Sequence, residues 1–358
     1  MKSFKFIKDR FLKLTSKTYP YGTEDDLVID MQKRGIFPNL DKDPFGNYFY
    51  KIGESRTVFA SHLDTACKDQ NDVVHLVSSQ QVVTTNGKTI LGADDKAGIT
   101  ILLWLIENKV PGLYYFFIGE EVGCIGSGEL SKAKLLEGGY DRMISFDRRG
   151  TNSVITYQRS YRCCSDEFAD ELAKQLNKTN NFFYKKDDTG VYTDSAEFVN
   201  QIPECTNISV GYMKEHTFME SQDLFHLGKL ALSVLEVDWE KLPVKRSVDD
   251  KEYLWTEYPQ WNQHGYSRKK RNRRSHSSGR SHSSGRYEHP RVFYDNGGEL
   301  EVISDVKTKH RGIYDSLKDR FLTADLSKRE LDIIKAQSMD LSNPADKKIY
   351  DSLYELLE

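Results

Sequence analysis

Apolar residues recur at helical spacing at the start of the chain, Phe4, Ile7, Phe11 and Leu14 with Lys and Arg between them, and predict an amphipathic opening helix. Thr23 followed by Asp26 reads as a helix cap with an acidic third position, and Gly35 closes the helix that follows. The pattern then shortens. Residues 46–52 and 56–61 read as strands, the second apolar enough to be buried on both faces, and 73–89 has room for a β-hairpin. Residues 92–108 run from a turn into an apolar helix, and 113–119 and 143–146 read as strands again. Ser165 caps a helix carrying Phe168, Leu172 and Leu176, residues 208–212 form a further strand, and a last helix covers roughly 223–237. Such alternation predicts an α/β domain, a mixed central sheet flanked by helices.

Beyond residue 240 the pattern changes. Tyr253, Trp255, Tyr258 and Trp261 precede a run that repeats S-H-S-S-G-R at 275–280 and 281–286; two copies make a linker rather than a solenoid. After Gly298 helical spacing returns at Ile313, Leu317 and Phe321, with a capping box at Ser327 and Glu330 and a helix opening at Asn343-Pro344. The expected organisation is an α/β domain over 1–240, an aromatic and then basic low-complexity, disordered linker over 241–298 and a small helical C-terminal unit over 299–358.

Charge sharpens that division. The net charge is -3, but 268–291 holds nine Lys or Arg against Glu288 and carries +8, which leaves -11 on the rest. This basic segment suits weak contact with a polyanion through charge, or a plain solvated linker. The longest apolar stretches, 99–106 and 113–118, fall far short of the ~20 residues of a membrane-spanning helix, so no membrane span is expected. Five cysteines, an odd number without C-x-x-C spacing, fit neither a disulfide framework nor a zinc finger and point to a reducing cytoplasm.

Candidate chemistry gathers where the expected strands end: S-H-L-D-T at 61–65, L-G-A-D-D-K-A-G at 91–98, G-E-E-V-G at 119–123, S-F-D-R-R-G at 145–150 and E-H-T-F-M-E at 215–220. Together they supply the His, Asp, Glu set that holds two divalent ions sharing one bridging carboxylate. In open α/β sheets, sites form outside the carboxyl ends of the strands, where these clusters fall. A lone H-x-D or Glu-Glu pair is ordinary surface chemistry; the weight lies in all five together.

In order, spacing and identity the five clusters resemble those of the co-catalytic dizinc exopeptidases, the group of zinc aminopeptidases, peptidase T and related carboxypeptidases and deacylases, over about residues 20–240. G-A-D-D-K-A-G is especially similar to peptidase T. The resemblance implies that His62 and Asp147 hold one metal, Glu121 and His216 the other, and Asp94 bridges them. Asp94 is preferred to Asp95 because the group's bridging Asp lies four residues before the helix glycine, here Gly98; Asp95 then falls where the group commonly has a cis peptide bond. Glu120 is the candidate general base, to take a proton from the attacking water and return it to the leaving amine, and Asp64 would accept the free imidazole N–H of His62. Asp194, in T-D-S-A-E-F, takes a supporting role by likeness to the aminopeptidase branch. The cofactors implied are two divalent ions, zinc first, with cobalt or manganese as alternatives.

Other residues have milder readings. Glu220 and His226 sit where helix capping or solvent exposure explains them, His75 is ordinary, and Arg148 and Arg149 either pair with a substrate carboxylate or neutralise nearby acids. Only 68 residues separate Asp147 from His216, and 29 separate Asp64 from Asp94. Neither gap has room for the lid or dimerisation domain of many relatives, so a bare catalytic core is expected. The leading expectation is an aminopeptidase acting on short peptides; an amidohydrolase of N-acyl amino acids, or a scaffold built on a peptidase core, remain alternatives.

Overall fold

The computed structural model describes residues 2–250, Glu252 and the backbone of two short strands, Phe293–Tyr294 and Leu300–Glu301, which pair antiparallel. The chain divides into two units, 1–264 and 265–358. The basic segment, the tandem hexapeptide and the expected C-terminal helices lie outside the described residues.

In chain order, helices α1 (Lys2–Leu14) and α2 (Glu24–Lys33) precede strands β1 (Asp41–Lys42), β2 (Tyr48–Ile52) and β3 (Thr57–His62). The hairpin β4 (His75–Val77) and β5 (Val82–Thr85) leads to α3 (Ala93–Glu107), β6 (Gly112–Phe117), α4 (Ile125–Lys132) and β7 (Arg142–Arg148). Short strands β8 (Ser153–Ile155), β9 (Tyr157–Gln158) and β10 (Tyr161–Arg162) are followed by α5 (Asp166–Asn177) and β11 (Lys185–Asp187). After a 3-10 turn at Asp194–Phe198 come β12 (Glu204–Ser209), β13 (Tyr212–Met213), β14 (Ser221–Asp223) and α6 (Leu224–Ser233).

Eight strands form one mixed sheet in the order β1-β2-β6-β3-β7-β12-β8-β11. Its centre, β6, β3, β7 and β12, is parallel, while β2 and β8 join antiparallel on either side. Both faces are covered, as a parallel sheet requires. On β6, Tyr114 and Phe116 enter a core shared with Phe59, Phe146 and helices α1, α3, α5 and α6, whereas Leu113, Tyr115 and Phe117 enter a smaller core with Met143, Leu130 and Phe198. β3, β6 and β7 are therefore apolar on successive residues, and each delivers its carboxyl end to one edge of the sheet. A second sheet, β13-β14-β5-β4, ties the hairpin to the segment around His216.

Several expectations need correction. Thr23 does not cap α2 with its side chain: its backbone is not extended, and its hydroxyl donates to the Pro20 carbonyl instead. The strand expected at 208–212 begins earlier, at Glu204, and ends at Ser209; Gly211 at φ +98 separates it from β13. Besides the expected helix and strand, the stretch between Asp147 and His216 holds the short strands β8, β9, β10, β11 and β13. Past residue 240 the chain still packs on the sheet: Leu242 and Arg246 are buried, and Glu252 accepts from Tyr157 and Arg162. Among the described residues no helix is long and apolar enough to cross a membrane, and all five cysteines are unpaired.

Candidate metal centre

The five motif clusters converge at the carboxyl edge of the parallel strands. β3 ends on His62 and β7 carries Asp147. β6 turns at Gly119, held at φ +65, into Glu120 and Glu121. Asp94 comes from the entry to α3, where Gly92 sits at φ +69 and the Asp94-Asp95 peptide is cis. His216 lies on the loop between β13 and β14.

Asp94 divides its two oxygens between two sets of groups. Oδ1 is 2.9 Å from His62 Nε2, which is itself 3.7 Å from Asp147 Oδ1. Oδ2 is 3.1 Å from His216 Nε2, which is 3.0 Å from Glu121 Oε2. One carboxylate thus faces two clusters, His62 with Asp147 and Glu121 with His216. Ligand atoms of Asp94, Glu121 and His216 all lie within 4.8 Å of one another, as do those of His62, Glu120 and Glu121 and those of His62, Asp95 and Asp147. Asp95 is less available than Asp94, because its carboxylate takes the Ser61 hydroxyl at 2.5 Å and the Gly98 N–H at 3.0 Å. The His62 side chain is 1% exposed and that of His216 49%, so the centre is closed on the sheet side and open on the loop side.

Electrostatics set this cluster apart from an ordinary core. Burial and neighbouring carboxylates push Glu120, Asp95 and Asp147 above the usual carboxylate range. Asp94 resists its burial and falls well below that range through hydrogen bonds with His216 and His62. Burial pulls His216 down, but Asp94 and Glu121 overcome it and carry the imidazole up to about 11. The buried acids outnumber the cations among them, and Glu121 Oε1 is buried without a hydrogen-bond partner. Unpaired buried charge is costly. Two imidazoles and two carboxylates around one doubly facing aspartate fit a pair of divalent cations, with donors that suit zinc, cobalt or manganese.

The surrounding residues hold these groups in place. Asp64 lies 3.3 Å from His62 Nδ1 and accepts the N–H groups of Glu120 and Glu121 at 3.0 and 3.1 Å, joining β3 to the Glu-Glu turn. Asp194 accepts from Ser127 at 2.5 Å, and burial pushes it up. It belongs to none of the three groups just described.

Sequence reasoning missed four contributors. Thr193 and Tyr212 donate to the two oxygens of Asp147 at 2.5 and 3.0 Å, and Asn207 bonds both backbone groups of Asp147 at 2.8 Å. Lys96, wholly buried, donates to the Leu63 and Asp64 carbonyls and the Thr65 hydroxyl. Its place inside D-D-K-A-G was a usable signal; Asn207 and Tyr212 carried none. Arg148 reaches Thr189 and Arg149 lies 3.4 Å from Glu215. His226 bonds the Tyr184 hydroxyl and His75 the Thr15 hydroxyl, away from the centre.

Comparison with known proteins agrees on the architecture. A tripeptidase from Staphylococcus aureus subsp. aureus Mu50 superposes with a TM-score of 0.56 at 17% identity, over 66% of this chain and 98% of that one. Aminopeptidase PepT from Bacillus cereus ATCC 10987 gives a TM-score of 0.55 at 16% identity, with the same 66% and 98% coverage. At such identities the likeness is one of fold, and the fold is the one implied by the resemblance to dizinc exopeptidases. The uncharacterized protein YqjE of Bacillus subtilis strain 168 is 35% identical over 104 residues; the match spans 27% of this chain and 27% of that protein. No family model matches the chain.

Proposed function

We propose that the protein is a metal-dependent exopeptidase, an aminopeptidase that hydrolyses the terminal amide of short peptides. The observation that carries this reading is the single Asp94 carboxylate facing His62 with one oxygen and His216 with the other. When bound there, two divalent cations would polarise the scissile carbonyl and acidify water. His62, Asp147, Glu121, His216 and Asp94 would hold them.

Glu120 is the proton carrier. Its side chain lies half-buried beside His62 and Glu121, and desolvation there raises its proton affinity, which suits a group that takes a proton from the attacking water and returns it to the leaving amine. Its backbone N–H is fixed by Asp64 at 3.0 Å, which anchors the turn that carries it. Asp64, kept ionised by His62 and Lys96 despite burial, steadies the imidazole. The half-exposed His216 leaves an approach for substrate on the loop side. Unpaired cysteines suit a reducing cytoplasm.

The test is digestion of a peptide library by the zinc-loaded full chain, with N-acyl amino acids alongside. Chelator-sensitive loss of amino-terminal residues supports the reading. Cleavage of N-acyl amino acids alone would make the protein an amidohydrolase, and no turnover of either class would refute an enzyme.

A further inference from the structure

Glu220 lies four residues beyond His216, where an acid before a helix reads as a cap. The cap of α6 is Asp223 instead, whose Oδ1 accepts the His226 N–H at 2.9 Å. Glu220 is 1% exposed, and its carboxylate reaches across to another element. Oε2 accepts the Gly92 N–H at 2.7 Å, and Oε1 accepts the Asp94 N–H at 3.0 Å. One carboxylate therefore holds both ends of the turn that presents Asp94. These N–H groups open a helix and have no partner within it, and a charged acceptor makes short, strong bonds to them.

The turn needs such a clamp. Asp94 has ψ 105, outside the helical region, and Gly92 is left-handed with Thr65 packed against the place a side chain would take. At its other end Glu220 is anchored: its own N–H bonds the Thr217 carbonyl at 3.1 Å, and the next residue, Ser221, pairs with Met213 as β14 begins. The loop between carries His216 at φ +63. Glu220 thus joins the two elements whose ligand atoms, Asp94 Oδ2 and His216 Nε2, stand 3.1 Å apart.

We propose that Glu220 is a positioning residue of the metal centre: it clamps the Asp94 turn to the His216 loop and so sets the spacing of the cation site formed by Asp94, Glu121 and His216. This rests on the metal-centre reading above. Three roles predict different behaviour. A mere helix cap would affect melting of the metal-free chain and leave zinc affinity alone. A mere source of negative charge would be replaced by aspartate. A positioning role needs the length of glutamate as well as its charge.

The experiment is calorimetric titration of the metal-free full chain with Zn2+ alone, for the parent, Glu220→Asp and Glu220→Gln, each first shown to be folded by circular dichroism. The parent is expected to bind two ions, and both variants to lose about ten- to a hundredfold in affinity for at least one of them, as loss of a group supporting a ligand does. Glu220→Asp binding two ions with the parent's affinity overturns the inference. Should that variant fail to fold, Glu220→Gln decides, and parental zinc affinity there overturns it equally. A parent chain that takes up no zinc overturns the metal-centre reading itself and this inference with it.

Discussion

Gly98→Ala sets two effects of known size against each other. Gly98 lies inside α3, where alanine is normally favoured by about 1 kcal/mol. A side chain there, however, would overlap the Phe146 carbonyl oxygen and the Asp95 carboxylate, one of them rigid sheet backbone. Overpacking of this kind costs about 1–3 kcal/mol, and more when backbone must move. The structure thus predicts that the clash wins, with a net loss of about 2 kcal/mol. For a unit of this size that lowers the melting temperature by about 4–8 °C. Gly128 in α4 is the internal control, since the nearest atom to an added Cβ is 3.9 Å away; Gly128→Ala should be neutral or stabilising by up to about 1 kcal/mol. Differential scanning calorimetry of the metal-free chains separates the two. A Gly98→Ala chain as stable as the parent would refute the close approach of α3 to β7 on which the Asp94–Asp147 geometry depends.

Lys96→Met should destabilise the metal-free protein by about 3–5 kcal/mol, because it removes the buried cation that compensates Asp64 and Asp95 and strands two carbonyl groups; denaturant unfolding that shows less than about 1 kcal/mol would contradict this. Glu120→Gln should leave zinc content unchanged and reduce peptide turnover by about a hundredfold or more, read from kcat in saturating zinc. Parental turnover would remove Glu120 from the mechanism.

What could be read from the sequence follows from how each part is buried. β3, β6 and β7 were legible because a parallel strand covered on both faces is a continuous apolar run, and each ends in a polar cluster that marks its carboxyl end. The first half of β12 was not. Glu204, Thr206 and Asn207 are buried, but through long-range bonds: Glu204 accepts from Ser165, Lys245 and Arg246, and Asn207 grips the Asp147 backbone. No local pattern announces such partners. The same holds at the centre. His62, Asp94, Glu121, Asp147 and His216 stood out through motif and order, and the structure brings all five together. For Lys96 only its place inside D-D-K-A-G hinted at a role, and Glu220 read as a cap; Lys96 reaches back 33 residues to Leu63 and Glu220 back 126 residues to Asp94. Only the fold makes them neighbours.

In the proposed centre one carboxylate, Asp94, serves two cations. Zinc content of the loaded and desalted full chain, measured by plasma mass spectrometry beside Asp94→Ala, tests it most directly. Two ions per parent chain and loss of occupancy at both positions in the variant are expected, with each chain folded by circular dichroism. An Asp94→Ala chain that keeps both ions would contradict this and would move the bridge to another residue.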